Sequence, residues 1–74
     1  MDAIKAQLLT KIPSERYRSF NGSAPQTGDV VIIDQGFTFP DGNAGCVAYK
    51  VDQNGSFMYE AEVYEFELGE NMST

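Results

Sequence analysis

The stretch that decides the fold is Gly28-Asp29-Val30-Val31-Ile32-Ile33-Asp34, near the middle of a chain of 74 residues. Its four consecutive β-branched apolar residues favour an extended strand that is buried on both faces or nearly so. A Gly-Asp pair opens the run, and Asp34-Gln35-Gly36 closes it with residues typical of turns. Such a strand needs cover on two sides, so we expect segments before and after it to pack against it.

Size and composition predict a single small domain over residues 1–74. A chain this short buries only roughly 60% of the surface that its unfolded form exposes, so the core is thin. Apolar residues make up 42% of the sequence, and five Phe with four Tyr still suffice for a compact globule. The polar end, residues 69–74, is predicted to be a disordered tail.

The sequence has one cysteine, Cys46, and no histidine. A lone cysteine cannot form an intramolecular disulfide, and the first residues do not resemble a signal peptide, so we expect a cytoplasmic protein. No apolar run approaches the ~20 residues that a membrane helix needs, which predicts no membrane contact. Zinc, haem and iron–sulfur sites depend on Cys and His ligands, so we expect no cofactor and no metal.

The formal charge is unevenly distributed along the chain. Residues 1–18 carry four basic and two acidic side chains, a balance of +2, whereas residues 19–74 carry Lys50 against nine acids, a balance of −8; together they give the net −6. This balance disfavours contact with nucleic acid and favours a protein partner with a basic surface. A solvated acidic face with no partner is the more common explanation of such a balance.

Residues 1–20 are predicted to be a helical segment. Asp2 can cap a helix that runs to Lys11, because its carboxylate accepts hydrogen bonds from free amides of the first turn. Four apolar residues then lie along one side: Ile4, Leu8, Leu9 and Ile12. Pro13 ends this helix, and a second short one is predicted over 14–20 before Asn21-Gly22. Ten residues are too few for a stable isolated helix, so we expect it to dock on the sheet or on a partner.

An antiparallel β core is predicted over residues 28–68. The strand at 46–51 alternates, and Val47, Tyr49 and Val51 are expected to face the core. Asn54-Gly55 is the strongest hairpin signal in the sequence, because these residues tolerate the positive φ values of tight turns. The strand at 56–64 alternates cleanly and leaves four residues on a wet face: Met58, Glu60, Glu62 and Tyr64.

The connection between the first two predicted strands, residues 36–45, is long for a hairpin. It contains Phe37 and Phe39, which would be costly in an exposed loop unless they pack or bind. Two interpretations stay open, because either ring can fold back onto the core or contribute to a binding surface.

Catalysis is not predicted. Glu60 and Glu62 project from one strand face about 7 Å apart, a separation seen between the carboxylates of glycosidases. Such enzymes also need a cleft that holds a sugar and raises the pKa of one carboxyl group by burial. A domain of this size with a flat polar face offers neither, so a solvated acidic edge is the simpler interpretation.

The order of these segments resembles the small SH3-like barrels of short prokaryotic proteins. The similarity covers about residues 27–69, with Gly28-Asp29-Val30-Val31 entering the first strand, two hairpin strands, and a closing segment from Val63 to Leu68. It implies a mainly β fold with a short N-terminal helix and a strongly bent antiparallel sheet or barrel, used by adaptors, regulatory subunits and some RNA binders. The residues alone leave an α+β alternative open, a helix packed on a three- or four-stranded antiparallel sheet.

We predict a small non-enzymatic, acidic protein-interaction or regulatory module. Its expected surface combines aromatic anchors with carboxylates: Phe37, Phe39, Met58, Glu60, Glu62 and Tyr64. One alternative is an acidic inhibitor, phage-encoded or immunity-type, of a nucleic-acid-binding protein. Another is a small-ligand or RNA-binding module that uses Arg16 and Arg18, because Arg suits carboxylates and phosphates. A homodimer formed through a sheet edge or the helix is a further alternative.

Overall fold

The computed structural model describes residues 4–71 and contains one antiparallel sheet of six strands. The strands are β1 (Ile4–Leu8), β2 (Tyr17–Ser19), β3 (Val30–Thr38), β4 (Ala44–Val51), β5 (Phe57–Tyr64) and β6 (Leu68–Asn71). Two short 3₁₀ turns, Ser14–Arg16 and Glu65–Glu67, precede β2 and β6. The strand order across the sheet is β2-β5-β4-β3-β1-β6. The prediction of a mainly β fold is therefore confirmed, with more strands than expected.

The β-branched run forms the first half of β3, and β3 has a neighbouring strand on each side. β1 lies along Val30–Ile33, and β4 pairs with β3 from Ile32 to Thr38. Val31 is fully buried, while its three apolar neighbours in the run are half-buried. A register shift between Ile33 and Gln35 interrupts the β3–β4 ladder, and such bulges bend a strand and increase its twist. β3 therefore continues through Gly36 and Phe37, which were predicted to lie in a loop.

The predicted N-terminal helix is wrong for the residues that the structure describes. Residues 4–8 form β1, with Ala6 and Leu8 buried and Ile4 half exposed, a period of two. Isolated helices of this length are marginal, whereas the backbone groups of β3 need partners on both sides. Strand pairing satisfies them, so tertiary context overrides the local helical pattern. The proposed cap, Asp2, lies outside the described residues.

The second predicted helix is reduced to one 3₁₀ turn, Ser14–Arg16, after which the chain extends into β2. β2 pairs with β5, so the edge of β5 also gains a partner. Tyr17 packs against the core, whereas Phe20 is half exposed. At the other end, residues 69–71 belong to β6 rather than to a disordered tail, and residues 72–74 lie outside the described part.

The core lies on one side of the sheet and is built from few large side chains. Its buried members are Leu8, Ile12, Val31, Cys46, Ala48, Tyr59, Ala61 and Val63. The alternation predicted for β5 is confirmed from Tyr59 to Val63, where the inward residues are buried and Glu60 and Glu62 are exposed, whereas Phe57 at the start of the strand is exposed. The inward face predicted for β4 is wrong, because Cys46 and Ala48 are buried and their larger neighbours only half-buried. The inward positions of β4 are therefore filled by small side chains, which suits a thin, closely packed core.

The predicted β4–β5 turn is present at residues 52–56. The amide of Gly55 donates to the carbonyl of Asp52, and Asp52 Oδ1 accepts from the amides of Asn54 and Ser56 at 2.8 and 3.0 Å. Gly55 has a φ of +85°, whereas Asn54 keeps a negative φ. The turn therefore needs glycine at one position only, and the Asp52 carboxylate satisfies the remaining amides.

Candidate functional site

The solvent side of β2, β4 and β5, here called the outer face, carries a row of side chains across three strands. Glu60 is paired with Tyr49 on one side and with Arg18 on the other. Glu62, two residues further along β5, is paired with Val47. Directly opposite residues of an antiparallel ladder point to the same side, so these side chains share one surface.

Both carboxylates of this row are open to solvent. Strand geometry places Glu60 and Glu62 about 7 Å apart. Arg18 Nη2 lies 4.0 Å from Glu60 Oε1, with the arginine side chain 74% exposed. An ion pair of this length and exposure contributes little, so it does not hold the carboxylate away from a partner.

Aromatic side chains form a first cluster at the start of β5, the Phe57 cluster, made of Phe20, Tyr49 and Phe57. The Tyr49 and Phe57 rings meet edge to face at 5.2 Å between centroids, and the Phe20 centroid lies 6.1 Å from that of Phe57. Arg18 lies over the Phe20 ring at 5.2 Å. Phe20 and Phe57 are 49% and 56% exposed, so this end of the outer face offers apolar ring surface.

A second aromatic cluster, the Tyr64 stack, lies at the end of β5. It consists of Phe37, Phe39, Tyr64 and Phe66, with successive centroid distances of 4.7, 3.9 and 4.7 Å. Phe39 is buried, whereas Phe66 at the end of the stack is 68% exposed. The Tyr64 hydroxyl donates to Asp41 Oδ2 at 2.7 Å, and this bond joins the stack to the β3–β4 turn. Aromatic surface therefore lies at both ends of β5, with the two carboxylates between.

Arg16 is held against the Tyr64 stack by several contacts. Its guanidinium donates to both carboxylate oxygens of Glu67 at 2.9 Å and to the carbonyl of Glu62 at 3.0 Å. It also lies over the rings of Tyr64 and Phe39, at 5.1 and 5.9 Å from their centroids. The N–H donors and the flat face of the Arg16 guanidinium are therefore engaged within the protein, so this group is poorly available to an external anion.

Glu67 is the buried partner of this arrangement. Its Oε1 also accepts the amide of Tyr64 at 2.9 Å. The hydrogen bonds from Arg16 hold the pKa of Glu67 below its usual value, although burial acts in the opposite direction. The same hydrogen bond raises the pKa of Arg16. Both groups stay charged near neutral pH, so the pair anchors the second 3₁₀ turn to the first.

A shallow groove of about 280 Å³ lies on the outer face, between residues in and before β2 on one side and residues of β4 and β5 on the other. Arg16 and Arg18 contribute to one wall, and Val47 with Glu60 and Glu62 to the other. Both signs of charge line it, so it offers no single-sign site for an ion. Within residues 4–71, no group of three or more His, Cys, Asp or Glu side chains is placed to hold a metal ion.

The structure separates the six residues predicted for protein binding into three groups. Phe37, Phe39 and Tyr64 belong to the Tyr64 stack, with Phe39 buried inside it. Glu60 and Glu62 are exposed between the clusters, whereas Met58 is half-buried and packs against the core. Sequence reasoning missed the Phe57 cluster and Glu67. Strand alternation puts Phe57 on the face of Tyr59, Ala61 and Val63, but the ladder shifts register between Lys50 and Val51 beside it, and Phe57 is exposed.

Comparison with protein-family models, with curated proteins and with solved structures found no match. Across the described residues, none of the helical turns is long and apolar enough to cross a membrane. The geometry of the site is therefore the basis for a functional proposal.

Proposed function

We propose that this chain is a small non-enzymatic module that binds a protein partner with a basic surface through its outer face. The observation that carries the proposal is the exposure of Glu60 and Glu62 between two aromatic clusters on one strand. Aromatic rings are the side chains that most often anchor interfaces, and here Phe20, Phe57 and Phe66 expose about half of their surface or more.

The charges complement the anchors in this proposal. Carboxylates that stay solvated in the free protein mainly steer the encounter and orient the partner, rather than add a large binding free energy. The net charge of −6 extends the same field over the molecule. Binding should therefore weaken as salt rises, since the Debye length shortens to about 10 Å at 0.1 M ionic strength.

The proposal includes an SH3-like architecture over about residues 27–69 and a cytoplasmic location. β1 and β6 lie side by side, which is compatible with such an architecture, although the six-stranded sheet as described does not close into a barrel. The bulge in β3 supplies the bend. β2 is an additional short strand on the edge of β5. The location rests on the single cysteine, which is free and buried.

The alternative of an anion- or RNA-binding module has less support. It depends on Arg16 and Arg18 acting together, but Arg16 is engaged by Glu67 and two aromatic rings. Arg18 alone is exposed, and it lies beside Glu60. In the acidic-inhibitor alternative the same outer face binds the partner. A nucleic-acid-binding protein as the captured partner would distinguish this alternative from a general interaction module.

The test is affinity capture of partners by the tagged full chain from an extract of its own host, at low and moderate salt and after nuclease treatment. The informative variant is Glu62→Lys. Its matched control is Gln26→Lys combined with Gln53→Lys, which raises the net charge by the same amount at two exposed positions. Phe57→Ser tests the aromatic anchor, because a ring that is 56% exposed contributes little to folding.

We expect one protein partner that is retained by the control and lost with Glu62→Lys and with Phe57→Ser, and that elutes as salt rises. A partner held equally well by Glu62→Lys would contradict the proposal. So would recovery of nucleic acid alone, present only in the sample without nuclease.

A further inference from the structure

A second concave region lies on the inner side of the sheet, where β6 faces the far ends of β3 and β4. This cleft has a volume of about 420 Å³, which lies within the range of ligand-binding clefts. Its walls are mostly apolar: Ile4, Ala6, Ile33, Gly36, Gly45, Cys46, Glu65, Leu68 and Gly69. It shares no residue with the carboxylates or the Phe57 cluster of the outer face.

Three glycines in the lining bring backbone atoms to the surface of the cleft. At Gly36 an added Cβ would meet nothing nearer than the carbonyl oxygen of Gly45, at 3.8 Å. The space beside Gly36 is therefore open toward the cleft. A side chain from another molecule can enter it and contact backbone atoms directly.

The cleft is bordered by strand backbone that has no strand partner among residues 4–71. Among residues 4–71, β1 pairs with β3 along Val30–Ile33, whereas β3 continues to Thr38 against β4 on its other side. Within this described part, residues 34–38 have no strand partner on the side that β1 leaves. β6 is the last strand in the described order, so no described strand pairs with its outer edge. Gly36 of β3 and Gly69 of β6 both line the cleft, so the two strand edges border it.

Charge restricts the occupant further. Glu65 is the one charged residue among those that line the cleft, and it is exposed. Asp34, at the start of the free edge of β3, is exposed too. Carboxylates next to a free strand edge favour a cationic segment, and unpaired amides and carbonyls favour an extended one.

We propose that the cleft receives an extended peptide of a partner protein in which basic and apolar residues alternate. The peptide pairs with residues 34–38 of β3 as an added strand and inserts an apolar side chain beside Gly36. Strand addition of this kind obtains affinity from backbone hydrogen bonds and specificity from the side-chain pocket. The site is independent of the outer face and extends the interactions of this chain to a second surface.

The probe is a short synthetic peptide in which Lys alternates with Val and Leu, titrated into the full chain and followed by amide NMR spectra. The blocking variant is Gly36→Val, which places a β-branched side chain in the cleft at a strand position without a positive φ. Its matched control is Gln35→Val, the adjacent exposed residue, whose side chain points to the opposite face of the strand. Thermal unfolding of both variants confirms that they fold, and Gly36→Ala is the milder substitute if Gly36→Val does not.

We expect peptide-induced shifts at the amides of residues 34–38 and of Gly69. Gly36→Val should weaken binding by about tenfold or more, and Gln35→Val by less than about twofold. A peptide with N-methylated backbone amides cannot form strand hydrogen bonds with residues 34–38. Its affinity for the unaltered chain should therefore fall by a factor similar to the one expected for Gly36→Val. A peptide with Glu in place of Lys should bind more weakly at low salt than at high salt.

Shifts confined to the outer face, or equal affinity for Gly36→Val and the unaltered chain, would overturn the proposal. A dimer that forms with rising concentration and is lost in Gly36→Val would assign the cleft to a second copy and overturn it too. Phe57→Ser, which leaves the net charge unchanged, should not change peptide affinity, so failure at the cleft is distinguishable from failure of the outer-face proposal.

Discussion

Replacing Gly45 by Ala is the most direct test of how the Tyr64 stack is built. Gly45 is buried in β4, opposite both Phe37 and Tyr64 in the ladder. A Cβ added there would lie 2.6 Å from Cδ2 of Phe39 and 2.8 Å from the carbonyl oxygen of Val63. The Phe39 ring occupies the space that a side chain would need, and the oxygen belongs to backbone that is fixed by the β4–β5 ladder.

The expected cost has two parts. Displacing the Phe39 ring, which is 7% exposed, loses most of its burial and costs about 1.5–3 kcal/mol. Pressing a methyl group against the Val63 carbonyl adds about 1–3 kcal/mol of overpacking strain. We expect Gly45→Ala to lower the free energy of unfolding by about 2.5–6 kcal/mol, against a total of about 4–11 kcal/mol for a domain of this size.

Urea unfolding followed by circular dichroism measures the difference, and Gly36→Ala is the matched control. Gly36 lies in β3 opposite Cys46, and an added Cβ there meets only an ordinary contact. Gly36→Ala should leave stability unchanged or raise it by up to about 1 kcal/mol, because it reduces the freedom of the unfolded chain. The reasoning is refuted if Gly45→Ala costs less than about 1 kcal/mol, or no more than the control.

Three further predictions concern single interactions. Arg16 holds the pKa of Glu67 low, so the ion pair stabilises the fold at pH values above the unfolded pKa of about 4.3. This stabilisation is lost as the pH falls through the folded pKa. Glu67→Gln should therefore reduce the dependence of the free energy of unfolding on pH in the acid range. Burial, together with the 2.7 Å hydrogen bond to Asp29, raises the pKa of Tyr59, so the free energy of unfolding should fall as the pH rises above about 10. Tyr59→Phe should reduce that fall. At neutral pH the same variant should cost about 1–2 kcal/mol, because it removes the hydrogen bond. Asp52→Ala removes the acceptor of two turn amides and should cost about 1–2 kcal/mol in urea unfolding.

For each of these three predictions, one result would contradict the reasoning. An acid profile of Glu67→Gln that parallels the unaltered chain would show that the ion pair is not formed in solution. An alkaline loss of stability in Tyr59→Phe as large as that of the unaltered chain would contradict the role assigned to Tyr59. Hydrogen bonding to Asp41 also raises the pKa of Tyr64, so this loss should shrink in Tyr59→Phe rather than vanish. Gln53→Ala, in the same turn, should change stability by less than about 0.5 kcal/mol; an equal loss in both turn variants would remove the role assigned to Asp52.

The parts of the fold that local pattern specifies could be predicted from the sequence. The alternation over 57–64 and the β-branched run at 30–33 allow one interpretation each, and both are strands in the structure. The N-terminal segment is ambiguous, because Ile4 and Leu8 are four positions apart, a spacing that fits a helix and a strand equally. The unpaired edge of β3 decides between them, and that edge exists only in the assembled sheet.

In the candidate site, too, some residues could be placed from the local sequence pattern, whereas others depend on the assembled fold. Glu60 and Glu62 could be placed on the outer face because strand alternation alone puts them there. The pairing of Arg16 with Glu67 could not be predicted, since the two residues are 51 positions apart and meet only when both 3₁₀ turns are formed. The inward face of β4 also depends on assembly, because Cys46 and Ala48 lie opposite the buried Val63 and Ala61 of β5, and this register is set only when the strands pair.

The pairing of β1 between β3 and β6 determines the order in which this protein can fold. The β3–β4 and β4–β5 hairpins join segments that are close in sequence, whereas Ala6 pairs with Asn71, 65 positions away. Contacts of such long sequence separation form late and slow folding. Until β1 arrives, the Val30–Ile33 edge is an apolar strand without a partner, the kind of surface through which unfinished chains associate with one another. Slow refolding with losses that grow with protein concentration is the kinetic consequence of this topology.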